Sequence, residues 1–81
     1  MEDKIFKLSE CEVGETVEIK SVLSTGLSKQ RLLDLGFVPS TKIYILRESP
    51  FGEPVAYLIR ETCIALRQEE SENILVKKSI L

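Results

Sequence analysis

The sequence predicts a mainly β fold: a small antiparallel barrel of about five short strands with one short α-helix. Three observations carry this. Apolar residues recur with a period of two in several short runs, as in Thr16, Val17, Glu18, Ile19, Lys20, Ser21 and Val22, the pattern of a strand with one buried face. A single stretch, residues 28–37, carries both a helix start and a helix stop. Glycine and proline punctuate the junctions, and no strand is followed by the long helix that a parallel sheet requires.

Residues 6–15 read as a helical turn followed by a turn at Gly14, with Ser9 as the cap and Leu8, Cys11 and Val13 as anchors to the core. The alternating run 16–22 is the first strand. In 28–37, Ser28 is the expected N-cap, its hydroxyl accepting from free backbone N–H groups, and Leu27 and Leu32 take the positions of a hydrophobic staple. Gly36 falls where a left-handed residue ends a helix, and Phe37 is placed to fold back on Leu32. A helix of about two turns needs tertiary packing to persist.

Residues 38–41 read as a turn and 42–48 as a second strand. Residues 49–54 reverse the chain, with Gly52 free to take positive φ and Pro50 and Pro54 stopping strand pairing. A third strand over 55–60, a tight turn at Glu61 and Thr62 and a fourth strand over 63–67 make a hairpin. Residues 68–73 give one acidic helical turn and 74–77 a closing strand. Closing such strands into a barrel covers edges that invite aggregation. The expected core is Val17, Ile19, Leu32, Leu35, Ile43, Ile45, Tyr57, Ile59, Ile64, Leu66 and Val76.

Composition narrows the function classes. The chain has 81 residues, 43% hydrophobic and 30% charged, which fits one folded domain over 1–81 and not a disordered segment. A domain of this size buries only about 60% of its unfolded surface, so its core is thin. The net charge is −2, from 13 acidic and 11 basic residues, and no basic run exceeds Lys77 and Lys78. Nucleic acid is therefore not the expected partner, since phosphate neutralisation needs a basic stripe. Apolar runs such as 56–59 are far short of the about 20 residues that span a bilayer. Met1, Glu2, Asp3, Lys4 and Ile5 carry charge where a signal peptide carries an apolar stretch. The expected location is cytoplasmic, without direct membrane insertion.

The chain has no histidine, so it lacks the commonest general base and the commonest transition-metal ligand. It also lacks a G-x-S-x-G motif and a phosphate-cradling glycine loop. No catalytic residue, cofactor or enzyme activity is expected. Cys11 and Cys63 are far apart in sequence with no C-x-x-C, which is not zinc-ligand spacing; the expectation is that both pack as small hydrophobes. Glu69, Glu70 and Glu72 read as a solvated turn favoured by the helix dipole, because a hard-cation site needs more oxygens from a shaped loop.

Five blocks, in order, resemble one family. Arg31, Leu32, Leu33, Asp34, Leu35, Gly36, Phe37, Val38 and Pro39 resemble the R-L-x-x-L-G-hydrophobic-x-P-G block of the FeoA family of ferrous iron transport accessory proteins. Residues 49–54 resemble its hairpin loop, and 59–67 its R-G-x-x-I-A-L-R strand pair. Leu8 with Val13, Gly14 and Glu15, and the late segment 69–76, fit as well. Three positions depart: Ser40 and Glu61 stand where the family usually has glycine, and Ser71 where it usually has alanine. If the turn at Glu61 needs positive φ, glutamate there costs on the order of 1 kcal/mol.

The resemblance implies an SH3-like barrel and a partner, the cytoplasmic domain of the ferrous iron transporter GTPase. The same fold serves in iron-dependent repressors, so fold alone leaves function open. Three readings follow: a binding module of the transporter, a protein that senses or binds iron itself, and an SH3-like regulatory module of a metal-dependent repressor. A weak homo-oligomer is left open. The candidate partner surface is Pro50, Phe51, Gly52 and Pro54, with Arg31, Arg60 and Arg67 as an arginine surface suited to carboxylates. Phe51 has two readings of equal standing: a loop aromatic that anchors a partner, or a plug that closes one end of the barrel. Tyr44 and Tyr57 line a groove or pack mid-strand with a wet hydroxyl.

Overall fold

Alternation dictates the sheet. In the strand Thr16–Val22, Val17 and Ile19 are buried while Thr16 and Lys20 are exposed, as the two-residue repeat of a pleated chain requires, and a register shift between Ile19 and Ser21 switches the parity so that Val22 is buried as well. The structure is a computed structural model and describes residues 4–78. Of the charged start, Met1, Glu2 and Asp3 lie outside the described residues. In chain order the elements are β1 (Phe6–Lys7), a 3-10 turn (Leu8–Glu10), β2 (Thr16–Val22), α1 (Gly26–Asp34), β3 (Lys42–Glu48), β4 (Val55–Ile59), β5 (Thr62–Leu66), α2 (Gln68–Ser71) and β6 (Ile74–Lys78).

The strands form one antiparallel sheet in the order β1-β6-β2-β3-β4-β5. Two register shifts, between Ile19 and Ser21 in β2 and between Ile45 and Arg47 in β3, are bulges that bend their strands. The bent sheet wraps a core of Leu8, Val17, Ile19, Leu32, Phe37, Ile43, Ile45, Tyr57, Ile59, Leu66, Ile74 and Val76, all at most 1% exposed. The expected barrel is mainly β and antiparallel, but it is not closed. β1 and β5 end the strand order unpaired with each other, and the 3-10 turn touches α2. The sixth strand is β1, a two-residue strand on β6 in a segment where the sequence suggested only a helical turn.

Helix α1 shows one expectation met and one overturned. At its C-terminus the Gly36 N–H donates to Leu33 O at 3.0 Å and the Phe37 N–H donates to Leu32 O at 3.0 Å. These are the two bonds of a Schellman motif, and Gly36 supplies its left-handed residue at φ 106°. Phe37 and Leu32 are both fully buried. At the N-terminus Ser28 is not the cap. The helix starts two residues earlier at Gly26, after Thr25, which makes no side-chain cap bond. Leu27 is 89% exposed, so no staple forms. Leu35 is not core either: it is the C-cap residue, 36% exposed, where the chain already turns away.

Three more local expectations change. Ser9 does not cap the 3-10 turn; the Glu10 carboxylate accepts from the Lys7 N–H at 3.0 Å instead. Val13 is exposed. The hairpin turn is Arg60 and Glu61, one residue earlier than expected, because Ile59 pairs with Thr62. Both turn residues have positive φ, 50° and 67°, which defines a type I′ turn. In residues 38–41 the Thr41 N–H donates to Val38 O at 3.1 Å, and Ser40 sits at φ 77°. That is the third position of a type II turn, where glycine is preferred.

Candidate functional site

The loop between β3 and β4 is built by short-range bonds. The Gly52 N–H donates to Ser49 O at 2.9 Å, closing a β-turn with Pro50 and Phe51 at its corners. Pro50 presets φ for the first corner, and Gly52 at φ 91° redirects the chain afterwards. The Ser49 hydroxyl donates to Glu53 O at 2.5 Å, and the Ser49 N–H to Pro54 O at 3.3 Å. The peptide bond between Glu53 and Pro54 is cis. Phe51 projects from this braced turn at 95% exposure. It does not plug the barrel.

The loop is tied to the helices behind it. Glu53 Oε1 accepts from the Gln68 N–H at 2.8 Å, taking one of the free donors at the start of α2. Glu70 Oε1 accepts from the Arg67 N–H at 3.2 Å, and its Oε2 accepts from Arg31 Nη1 of α1. Loop, α2 and α1 thus form one chain of contacts through Glu53 and Glu70. Ser71 is 2% exposed; its hydroxyl donates to Gln68 O at 3.3 Å and lies on the same cleft as Tyr57, whose phenol it favours in the charged form. Burial pushes that phenol up, and Ser71 partly opposes it.

The candidate residues do not all come together. Pro50, Phe51, Gly52 and Pro54 share the loop, and Arg67 lines a shallow surface with Glu53 and Gln68 beside it. Arg31 reaches this region only through Glu70. Arg60 stands just past the far end of β4, five residue steps or about 16 Å from Val55. Beneath the loop, Ala56 of β4 and Ala65 of β5 join Pro50 and Pro54 in a mostly apolar groove. On the same outer sheet face, Tyr44, Leu58 and Cys63 lie in register and are exposed. The sequence pattern marked only Tyr44 on this face, as a groove residue, because period-two reading assigns outward positions to water. It also missed Glu53, which had no signal; Glu70 had one, an acidic residue three positions after Arg67, the residue that precedes α2.

Cys63 corrects a further expectation: it is exposed on the outer face of β5, not packed in the core. Cys11 packs against the core, and burial pushes its thiol up. It lines a small cleft of about 80 Å³ between the 3-10 turn and α2, with Tyr57 and Ser71 opposite. Among the described residues, no group of three or more Cys, Asp or Glu side chains is placed to hold a metal ion. Nor is any helix among them long and apolar enough to cross a membrane.

Comparison with known proteins places this geometry. The family model of the FeoA domain matches residues 6–78. A fusion of Fe(2+) transport protein A with the Fe(2+) transporter FeoB, from Porphyromonas gingivalis, is 32% identical over 72 residues, covering 89% of this chain and 8% of the fusion. The chain thus spans a small part of that relative. The solution structure of the FeoA protein from Chlorobium tepidum superimposes with a TM-score of 0.87 at 33% identity, covering 93% of this chain and 71% of that one. A zinc complex of FeoA from Stenotrophomonas maltophilia, described as an SH3 domain protein, superimposes with a TM-score of 0.78 at 28% identity over 88% of each chain.

Proposed function

Because the chain belongs to the FeoA family, matched over residues 6–78, we propose that it is a non-catalytic accessory of ferrous iron transport. It acts by docking on the cytoplasmic domain of the transporter GTPase. The fusion in Porphyromonas gingivalis, where a transport protein A is joined to the transporter FeoB, supports such an association here.

One observation carries the surface. Phe51 is 95% exposed on a loop held by three internal hydrogen bonds and by Glu53 on α2. An aromatic with few rotatable bonds on a pre-ordered loop loses little entropy on binding, which is what a hot spot requires. Pro50, Gly52 and Pro54 shape the loop. Arg67 stands beside Glu53, Glu69 and Glu72 and Arg31 is paired with Glu70, so the flank is mixed in charge and Arg67 is its group for a partner carboxylate. Arg60 belongs to another part of the surface.

The test is calorimetric binding to the transporter's purified cytoplasmic domain. Phe51→Ala is expected to weaken binding by about 1–3 kcal/mol. Unchanged affinity in a folded variant moves the interface off this loop.

A further inference from the structure

β5 is an unguarded edge. The other edge, β1, is two residues long, and short edges are poor templates for pairing. β5 has five residues in regular register with β4, and Thr62, Cys63, Ile64, Ala65 and Leu66 include no charge, proline or bulge. The two-residue turn at Arg60 and Glu61 closes the pair of Ile59 with Thr62, so Thr62, Ile64 and Leu66 turn their N–H and C=O groups to β4. Those of Cys63 and Ala65 point to the open side. Both residues are exposed, and neither backbone makes another bond among the described residues.

The ends of this edge carry opposite charge. Glu61 precedes β5 and Arg67 follows it, and neither side chain has an ion-pair partner among the described residues. We propose that β5 pairs antiparallel with β5 of a second copy of this chain, about a two-fold axis at Ile64. In that register Cys63 faces Ala65 of the second copy, and the two equivalent pairs exchange four backbone hydrogen bonds. Glu61 faces Arg67 of the second copy, twice. A shift of two residues breaks both ion pairs, and a shift of one turns the outer face inward. The self-complementary charges select this register and a second copy as occupant. The contact is isologous and closes as a dimer. The paired strands are short, so the dimer is weak and concentration-dependent. This inference does not rest on the transporter partner, although Arg67 belongs to both surfaces.

The first measurement is sedimentation equilibrium across a concentration series. Glu61→Arg or Arg67→Glu should each weaken dimerisation about tenfold, since two cross-strand pairs become like-charged. The double variant Glu61→Arg/Arg67→Glu should restore it. The second is a register-specific cross-link. Ala65→Cys puts a thiol opposite Cys63 of the second copy, with Cα atoms about 5.5 Å apart, within disulfide reach. Mild oxidation should give a covalent dimer at least about tenfold faster than in Cys63→Ala/Ala65→Cys, where the thiols are diagonal. All four positions are exposed, and far-UV circular dichroism checks that each variant folds. A chain that stays monomeric at every concentration, a dimer indifferent to charge reversal, or equal cross-linking in both cysteine variants overturns the proposal.

Discussion

Phe37 and Phe51 each stand beside a glycine, and they end in opposite places: Phe37 is fully buried and Phe51 is 95% exposed. The difference lies in which carbonyls the local turn satisfies. At the end of α1, the Phe37 N–H reaches back to Leu32 O, and that 6→1 bond folds the side chain over the helix onto the core. In the β3–β4 loop the turn closes on Ser49 O from Gly52, one residue after Phe51. Phe51 is therefore at a corner of the turn, where side chains point away from the body. One aromatic stabilises the fold, and the other is free for a partner.

Substitution at both sites sharpens the contrast. Phe37→Ala should cost about 3–5 kcal/mol in denaturant melts, enough to unfold much of a marginal small domain. Phe51→Ala should stay within about 0.5 kcal/mol of the parent in the same melts. A large loss at Phe51 would mean that the loop packs on the body, and the comparison would fail.

The two non-glycine left-handed turns should respond next. Ser40→Gly and Glu61→Gly should each raise stability by about 1 kcal/mol, since both positions hold positive φ that glycine takes without strain. Dilute samples separate this gain from any self-association through Glu61. No gain at either position would mean that the side chain compensates its own strain.

The smallest effect is at the ion pair of Glu15 with Lys78. Accepting the Glu12 N–H, and then the Lys78 bond, holds the Glu15 carboxyl below its ordinary value of 4.5. Its contribution is complete above that value and is lost as pH falls through the depressed one. The bond from Glu15 raises Lys78 above its ordinary 10.5. That contribution is complete below 10.5 and is lost as pH rises through the raised value. Lys78 also lies 5.0 Å from the centre of the Phe6 ring. Such partly exposed pairs contribute about 0.2–1 kcal/mol. Melts at acid, neutral and alkaline pH should therefore show a broad plateau with a shallow fall at each end. Glu15→Gln should remove most of the acid-side fall that this pair causes.

The sequence by itself determined what depends on neighbours along the chain. β2 and β3 were legible to the residue, because alternation states which face is buried. So was the Schellman end of α1, because glycine at that offset leaves the backbone one low-energy way to stop. The tertiary structure decided what depends on contacts across the chain. Leu27 satisfies a staple by spacing, yet the helix begins earlier and leaves it in water. Cys63 is apolar enough for a core, but its parity in β5, fixed by the turn at Arg60 and Glu61, puts it outside. Phe51 had two readings in sequence, since a loop aromatic has no periodicity to orient it. The turn closed on Ser49 O puts it at an exposed corner, and the loop's place on the body is held by Glu53 reaching Gln68 and Glu70 reaching Arg31. Those contacts join residues 15 and 39 positions apart, and a local pattern carries no information at that range.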